Sequence, residues 1–296
     1  MIGDVKARIV RSDGQELTIG DGDWRIPSDG LENWANLPYD VSSVEIPSYD
    51  GALVTSKRVS SVDRSIHAVC CGSDPHRLRE IAIRFFNPKY TFDVHVTYMG
   101  RTRWTTGHQI GFKASEWNIH KKPEIDWTIL CPNPYLLSEE DFGRDIAEII
   151  PMFGYPFVSL LPESDGSLAG FPTGFPVSLH AFSQDVEISN NGDVPSGMRV
   201  IIRANGDILN PLVRVGEGYI RVLASMQQGD EIEMDATSRP PKVTMNGNNA
   251  MHMLDRNSSI LDMMVQVGET TIEYDADDGY QNMSVSVFFN KQYLGV

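Results

Sequence analysis

The segment Glu231-Ile232-Glu233-Met234-Asp235 alternates acidic and apolar side chains without a break. In an extended chain successive side chains point to opposite faces, so this pattern makes one wet face and one buried face. Met283-Ser284-Val285-Ser286-Val287 repeats the alternation near the end of the chain, and Lys242-Val243-Thr244-Met245 and the run from Ile260 to Val267 lie between. Turn formers fill the gaps: Asn190-Asn191-Gly192-Asp193, Asn205-Gly206-Asp207, Gln228-Gly229-Asp230, Asn246-Gly247-Asn248 and Asp277-Asp278-Gly279. Short strands at this spacing, with no helix between them, predict an antiparallel β-sandwich over 184–296.

Upstream the strand signals are sparser. Leu17-Thr18-Ile19 and Trp24-Arg25-Ile26 flank a Gly-Asp-Gly-Asp cluster read as a hairpin turn, and a stretch through Val59, Ile66 and Val69 reads as strand after the turn at Asp50-Gly51. One helix is well specified. Asp74 is placed to cap it, Pro75 suits the first helical position, and Leu78, Ile81, Ala82 and Phe85 form one apolar stripe ending before Asn87-Pro88. Phe92, Val94, Val96 and Tyr98 then alternate with Asp93, His95 and Thr97, and Gly100 turns the chain into Arg101 to Thr106, a hairpin. Asp126 to Cys131 gives another strand, and Pro132 and Pro134 end the first domain near residue 136.

A joining segment, 137–183, follows. Ser138 with Glu139, Glu140 and Asp141 reads as the start of a short helix whose stripe is Phe142, Ile146 and Ile149, closed by Pro151. Beyond it come loops rich in Pro, Gly and aromatics, among them Phe153, Tyr155, Phe157, Phe171, Phe175 and Phe182, with a strand from Phe157 to Leu161. These rings are read as seating the second domain rather than stacking on sugars.

At 296 residues the chain has room for two domains with cores of their own. No apolar run approaches a membrane span and the first residues lack the apolar region of a signal peptide, so a cytosolic site of synthesis and no membrane insertion are expected. Cys70, Cys71 and Cys131 show no metal-binding spacing and read as free thiols. The net charge of −15 is unevenly spread: residues 1–136 hold 16 Lys+Arg against 17 Asp+Glu, while 137–296 hold 9 against 23. So acidic a second half repels phosphates, which argues against nucleic-acid binding there.

Reactive chemistry finds no foothold in the pattern. His67, His76, His95, His108, His120, His180 and His252 have no zinc-ligand spacing. Asp21 with Asp23, and Asp275 with Asp277 and Asp278, read as charged turns rather than calcium loops, and Glu139-Glu140-Asp141 as a helix start rather than a glycosidase pair. There is no Gly-x-Ser-x-Gly elbow and no phosphate loop. The expectation is a protein with no catalytic residues, metal or cofactor.

Order along the chain is more telling than any one motif. The run "NNGDVPSG", "RANGDILNP", "MQQGDEIEMDATSRPPKVTMNGNN" and a terminal strand closing on "YLGV" resembles the C-terminal, galectin-like half of the phage distal tail protein family. "FFNPK" after a helix, the strand-turn-strand of 90–106 and "DWTILCPNPY" resemble the family's N-terminal domain, in the family's order; the first forty residues match loosely. The resemblance implies a mainly β protein of the virion tail tip, assembled in the host cytoplasm, whose N-terminal domains form a hexameric ring. That hub would join the tail-tube protein to the tail-associated lysin or tail spike protein, pass DNA without binding it specifically, and offer its galectin-like domains to receptor-binding or side-fibre proteins. The helix at 74–86 and the hairpin at 90–106 are the expected ring contacts. A carbohydrate-binding adhesion module without a ring is the alternative, and a cell-wall hydrolase a third reading.

Overall fold

Alternation decides the first strands: Ala7 and Ile9 on one side of Lys6–Arg11 (β1) are fully buried, while Arg8 between them faces out. The computed structural model describes residues 5–46, 50–115, 122–147, 149–151, 178–180 and 185–296. They divide into two compact units, the first made of Met1–Glu140, Gly192–Val194 and Lys291–Val296, the second of Asp141–Asn191 and Pro195–Asn290.

In the first unit β1 is followed by Glu16–Ile19 (β2), Trp24–Arg25 (β3), Leu31–Glu32 (β4), Tyr39–Glu45 (β5), Ala52–Val59 (β6) and Val62–Cys70 (β7). The helix Pro75–Phe85 (α1) comes next, then Thr91–Tyr98 (β8), Arg101–Ala114 (β9), Glu124–Cys131 (β10) and Leu136–Ala147 (β11), of which residues 136–140 belong to this unit. One layer runs β2-β1-β8-β9, all antiparallel. The long β9 then leaves it: residues 101–108 pair with β8 and 108–114 with β10, which pairs with β7, and β7 holds β3 and β4. A strand shared in this way makes a sandwich corner. Between the layers lies an aromatic core in which Trp127 is fully buried, 4.7 Å from the Phe86 ring and 5.2 Å from Phe92, with its indole N–H donated to Gln109 at 3.1 Å.

Helix α1 forms where expected. The Asp74 carboxylate accepts from the Arg77 amide at 3.1 Å and Pro75 opens the first turn. Arg11, on β1, closes the other end by donating to the carbonyls of Arg84 and Phe85 at 3.1 and 3.0 Å, a cation where the helix dipole favours one. Asp13 holds this arginine from the far side, and that hydrogen bond is the main reason its carboxyl is pulled down to about 2. A depressed carboxyl stabilises the fold above its unfolded value near 4 and loses that contribution as pH falls through about 2. Thermal melts taken between pH 5 and pH 2 are therefore expected to drop less steeply for Asp13→Asn than for the parent; parallel curves would refute the linkage.

The second unit opens with the short pair Ile149–Pro151 (β12) and Ser178–His180 (β13). It continues as Asp185–Asn190 (β14), Ser196–Ala204 (β15), Ile208–Val215 (β16), Gly218–Arg221 (β17), Ser225–Met226 (β18), Glu231–Asp235 (β19), Lys242–Met245 (β20), Asn248–Asn249 (β21), Met264–Val265 (β22), Gly268–Asp278 (β23) and Met283–Tyr293 (β24). One sheet is ordered β24-β15-β19-β20-β21 and the other β14-β23-β16-β17, with β18 on β16. Both bury the same alternating phase: Ile232 and Met234 of β19, Val285 and Val287 of β24, and Ile272 and Tyr274 of β23 share one core. The antiparallel sandwich read from the alternation at 231–235 is present, and β19 has the expected bounds. Asn246 and Gly247 both take positive φ, 51° and 78°, the left-handed pair a two-residue turn requires.

Four local expectations are corrected. The segment from Ser138 is the strand β11, not a helix: Leu137 and Ser138 pair with Trp104 and Arg103 on the edge of β9, whose bonds outweigh the helix-start signature. The Gly-Asp-Gly-Asp cluster does not turn a hairpin, because β2 pairs with β1 and β3 with β7, so it links two layers. Within Ile260 to Val267 only β22 is extended, and Ile260–Asp262 is a 3-10 turn capped by Ser259. Ile81 is 41% exposed rather than on the buried stripe of α1. The aromatic loops and the strand expected over 157–161 lie outside the described residues, and residues 291–296, which include the end of β24, are grouped with the first unit.

Candidate assembly surface

Strands normally hide one face. Every residue of β5 is exposed, and so is every residue of β6 except Val59, which is half-buried. The two pair only with each other among the described residues, from Tyr39 opposite Val59 to Glu45 opposite Ala52, with a bulge between Ser42 and Ser43. Tyr39, Val41, Val44, Leu53 and Val54 are all exposed, and Ile46 follows just beyond β5. A two-stranded ribbon with no packing is marginal in water, and an apolar one invites a partner. At its root the Arg58 guanidinium donates to Asp40 at 3.2 Å and Ser60 donates to the same carboxylate oxygen at 2.5 Å, lowering that carboxyl's pKa, Ser60 first.

The two expected ring contacts are differently disposed. The hairpin at 90–106 is the β8–β9 pair, with Met99 and Gly100 in its turn at φ 50° and 78°. Its apolar face is core, with Phe92, Val94 and Val96 fully buried, and its edges are taken by β1, β10 and β11. Only its outer face and the exposed Met99 at its tip are accessible. Helix α1 shows Ile81 and Ile83 to solvent, at 41% and 43%, beside Arg77 and Arg84. The surface with the most exposed apolar side chains, β5–β6, was not singled out from the sequence.

The charged side chains that a chemical reading would draw on are engaged structurally. Asp277 pairs with Arg221 and accepts from Asn210 at 2.7 Å, bracing β16, β17 and β23. Asp21 pairs with Lys6 at 2.8 Å. His67 Nδ1 sits 2.5 Å from Asp126 across β7 and β10. His95 stacks on Trp104 and lies 3.2 Å from Glu139, off the hydrogen-bonding direction; burial first, then Arg8, lowers its pKa. Glu139 is thus a strand residue beside Arg8 and His95. Among the described residues no three His, Cys, Asp or Glu side chains are placed to share a metal ion. Cys70 and Cys131 are buried free thiols and Cys71 is an exposed one. His120 and the aromatics of 153–175 lie outside the described residues. On the second unit, the outer face of β15 and β19 is a charge ladder, Arg199 with Glu233 at 3.3 Å and Arg203 with Glu231 at 2.8 Å, and among the described residues its one exposed aromatic is Tyr280.

Residues 191–293 match the family model described as the siphovirus-type tail component, C-terminal domain. Comparison with curated protein sequences returns no match. Among solved structures, the chain is similar to the Dit protein of phage SPP1, described as a paradigm of the hub adsorption apparatus in Gram-positive infecting phages. The TM-score is 0.60 at 11% identity, over 97% of this chain and 98% of that one. It is also similar to a chain of the phage P2 baseplate in its activated conformation with Ca, with TM-score 0.53 and 9% identity over 99% of both chains. The same baseplate with Sr gives 0.51 and 9% over 97% of both. These structural likenesses are likenesses of fold. The sequence match falls on the sandwich of the second unit, so for those residues the fold and the family model agree on a phage tail component domain. Within residues 191–293 the sequence itself matches the siphovirus-type tail component domain, and over the whole chain the fold is that of the SPP1 Dit protein.

Proposed function

We propose that this chain is the hub of a phage tail tip, six copies forming a ring that joins the tail-tube protein to the tail-associated lysin or spike protein. The observation that carries the reading is the agreement in fold over 97% of the chain with a protein described as a hub adsorption apparatus. In this reading residues 1–136 form the ring, and the acidic sandwich over 184–296 is the platform for receptor-binding or side-fibre proteins. The ring would pass DNA without recognising it, and assembly would occur in the host cytoplasm. The role is structural and non-enzymatic, with Asp, Glu and His side chains spent on bracing strands. A galectin-like use of the sandwich for carbohydrate would require an open aromatic ring on an outer face, where Arg203, Glu231 and Glu233 stand and the half-buried Phe288 ring is covered by the Arg199 guanidinium.

Mass measurement of the purified full chain tests the reading. The expected result is a species of about six times 33.0 kDa that appears as a ring by negative-stain imaging. A chain that stays monomeric, alone and with the tail-tube protein, would refute it.

A further inference from the structure

We infer that the β5–β6 ribbons of successive copies join edge to edge, β5 of one copy against β6 of the next; the inference rests on the hub reading and names the surface that closes the ring. Three observations lead there. Both outer edges of the ribbon lack a strand partner among the described residues, and such edges accept an added strand. The apolar side chains Tyr39, Val41, Val44, Leu53 and Val54 are shown to solvent by 46–63%, and their burial would drive the association.

Charge then chooses the partner. Strand β5 carries Asp40 and Glu45 and no base, while β6 carries Lys57 and Arg58 and no acid. A two-fold contact of β5 with β5, or of β6 with β6, sets like charges together; a contact of β5 with β6 sets opposite ones together. The second arrangement is head-to-tail, the geometry that closes rings. Inside one copy Asp40 lies opposite Arg58, whose side chain is 78% exposed. Repeating that register across the joint sets each Arg58 between its own Asp40 and its neighbour's, with guanidinium donors for both.

Two full-length variants test this by sedimentation velocity. In Asp40→Asn/Glu45→Lys the acidic strand becomes basic, and in Lys57→Glu/Arg58→Gln the basic strand becomes acidic; neither sets like charges opposite each other within the ribbon. Each alone is expected to associate at least tenfold more weakly than the parent, and an equimolar mixture to recover the parent's assembly, because alternating copies restore opposite charges at every joint. Variants that assemble alone as the parent does, or a mixture no better than its components, overturn the inference and leave the hub reading standing. A parent that forms no assembly, alone or with the tail-tube protein, overturns both.

Discussion

Replacing Trp127 by alanine is expected to destabilise the first unit by about 3–5 kcal/mol, the range for deleting a large ring from a closed core. Phe86 and Phe92 lose a neighbour at 4.7 and 5.2 Å, Phe86 keeps Phe112 at 5.0 Å, and Gln109 loses the indole donor it meets at 3.1 Å. Trp127→Phe keeps most of the volume and drops the hydrogen bond, so its cost should be roughly 1–2 kcal/mol. Urea unfolding of the three proteins, followed by tryptophan fluorescence and far-ultraviolet dichroism, would show the order parent, Trp127→Phe, Trp127→Ala. Equal stability of the alanine variant would mean that this core is not what holds the layers together.

The second large effect is expected at Arg64. It occupies the inward phase of β7 with Val62, Ile66, Ala68 and Cys70, and no water-exposed atom remains on it. Burial pulls the guanidinium's pKa below its ordinary value, yet arginine keeps its charge at any pH a protein survives. Its N–H groups reach the Asn33 carbonyl at 3.3 Å and the Pro134 carbonyl at 2.7 Å, and its charge sits 5.5 Å from the Trp34 ring. It therefore ties the loop before β5 to the chain entering β11. Arg64→Ala leaves two carbonyls short of a donor and opens a cavity, a loss of about 3 kcal/mol or more. Arg64→Met refills the space without the donors and should cost roughly half as much. The reverse order in a denaturant titration would mean that packing is not the larger part.

Legibility from sequence followed how far each pattern depended on near neighbours. Strict alternation announced β8, β19 and the later half of the chain, and Asp74-Pro75 announced α1, because those signals lie within a few residues of one another. Strand β5 was missed because its apolar residues keep no single phase: Tyr39 and Val41 share one face and Val44 lies on the other, while its partner β6 carries an extra residue, Thr55, where the register shifts. The cue was there in the β-branched and aromatic residues on both sides of Asp50-Gly51. Ser138 looked like a helix cap because caps are local; its strand state depends on β9, more than thirty residues upstream, and on Trp104, whose indole donates to the Ser138 carbonyl at 2.8 Å. Arg64 on the apolar phase of β7 was readable as an oddity, but its acceptors near residues 33 and 134 were not. Exposure of the β5–β6 ribbon, the basis of the candidate surface, is a property no stretch of sequence carries alone.

Because the first unit takes back residues 192–194 and 291–296 after the chain has built most of the second, the path crosses from one to the other four times. Neither is a bead that a single cut could free. Swapping the sandwich for another by recombination at one junction would strand Tyr293, which packs over Arg103 at 3.8 Å, or Asp193, whose carboxylate accepts from the Leu294 amide at 3.0 Å. Exchange of the second unit would therefore have to proceed by insertion between matched flanks, and a change in its surface by drift in its loops.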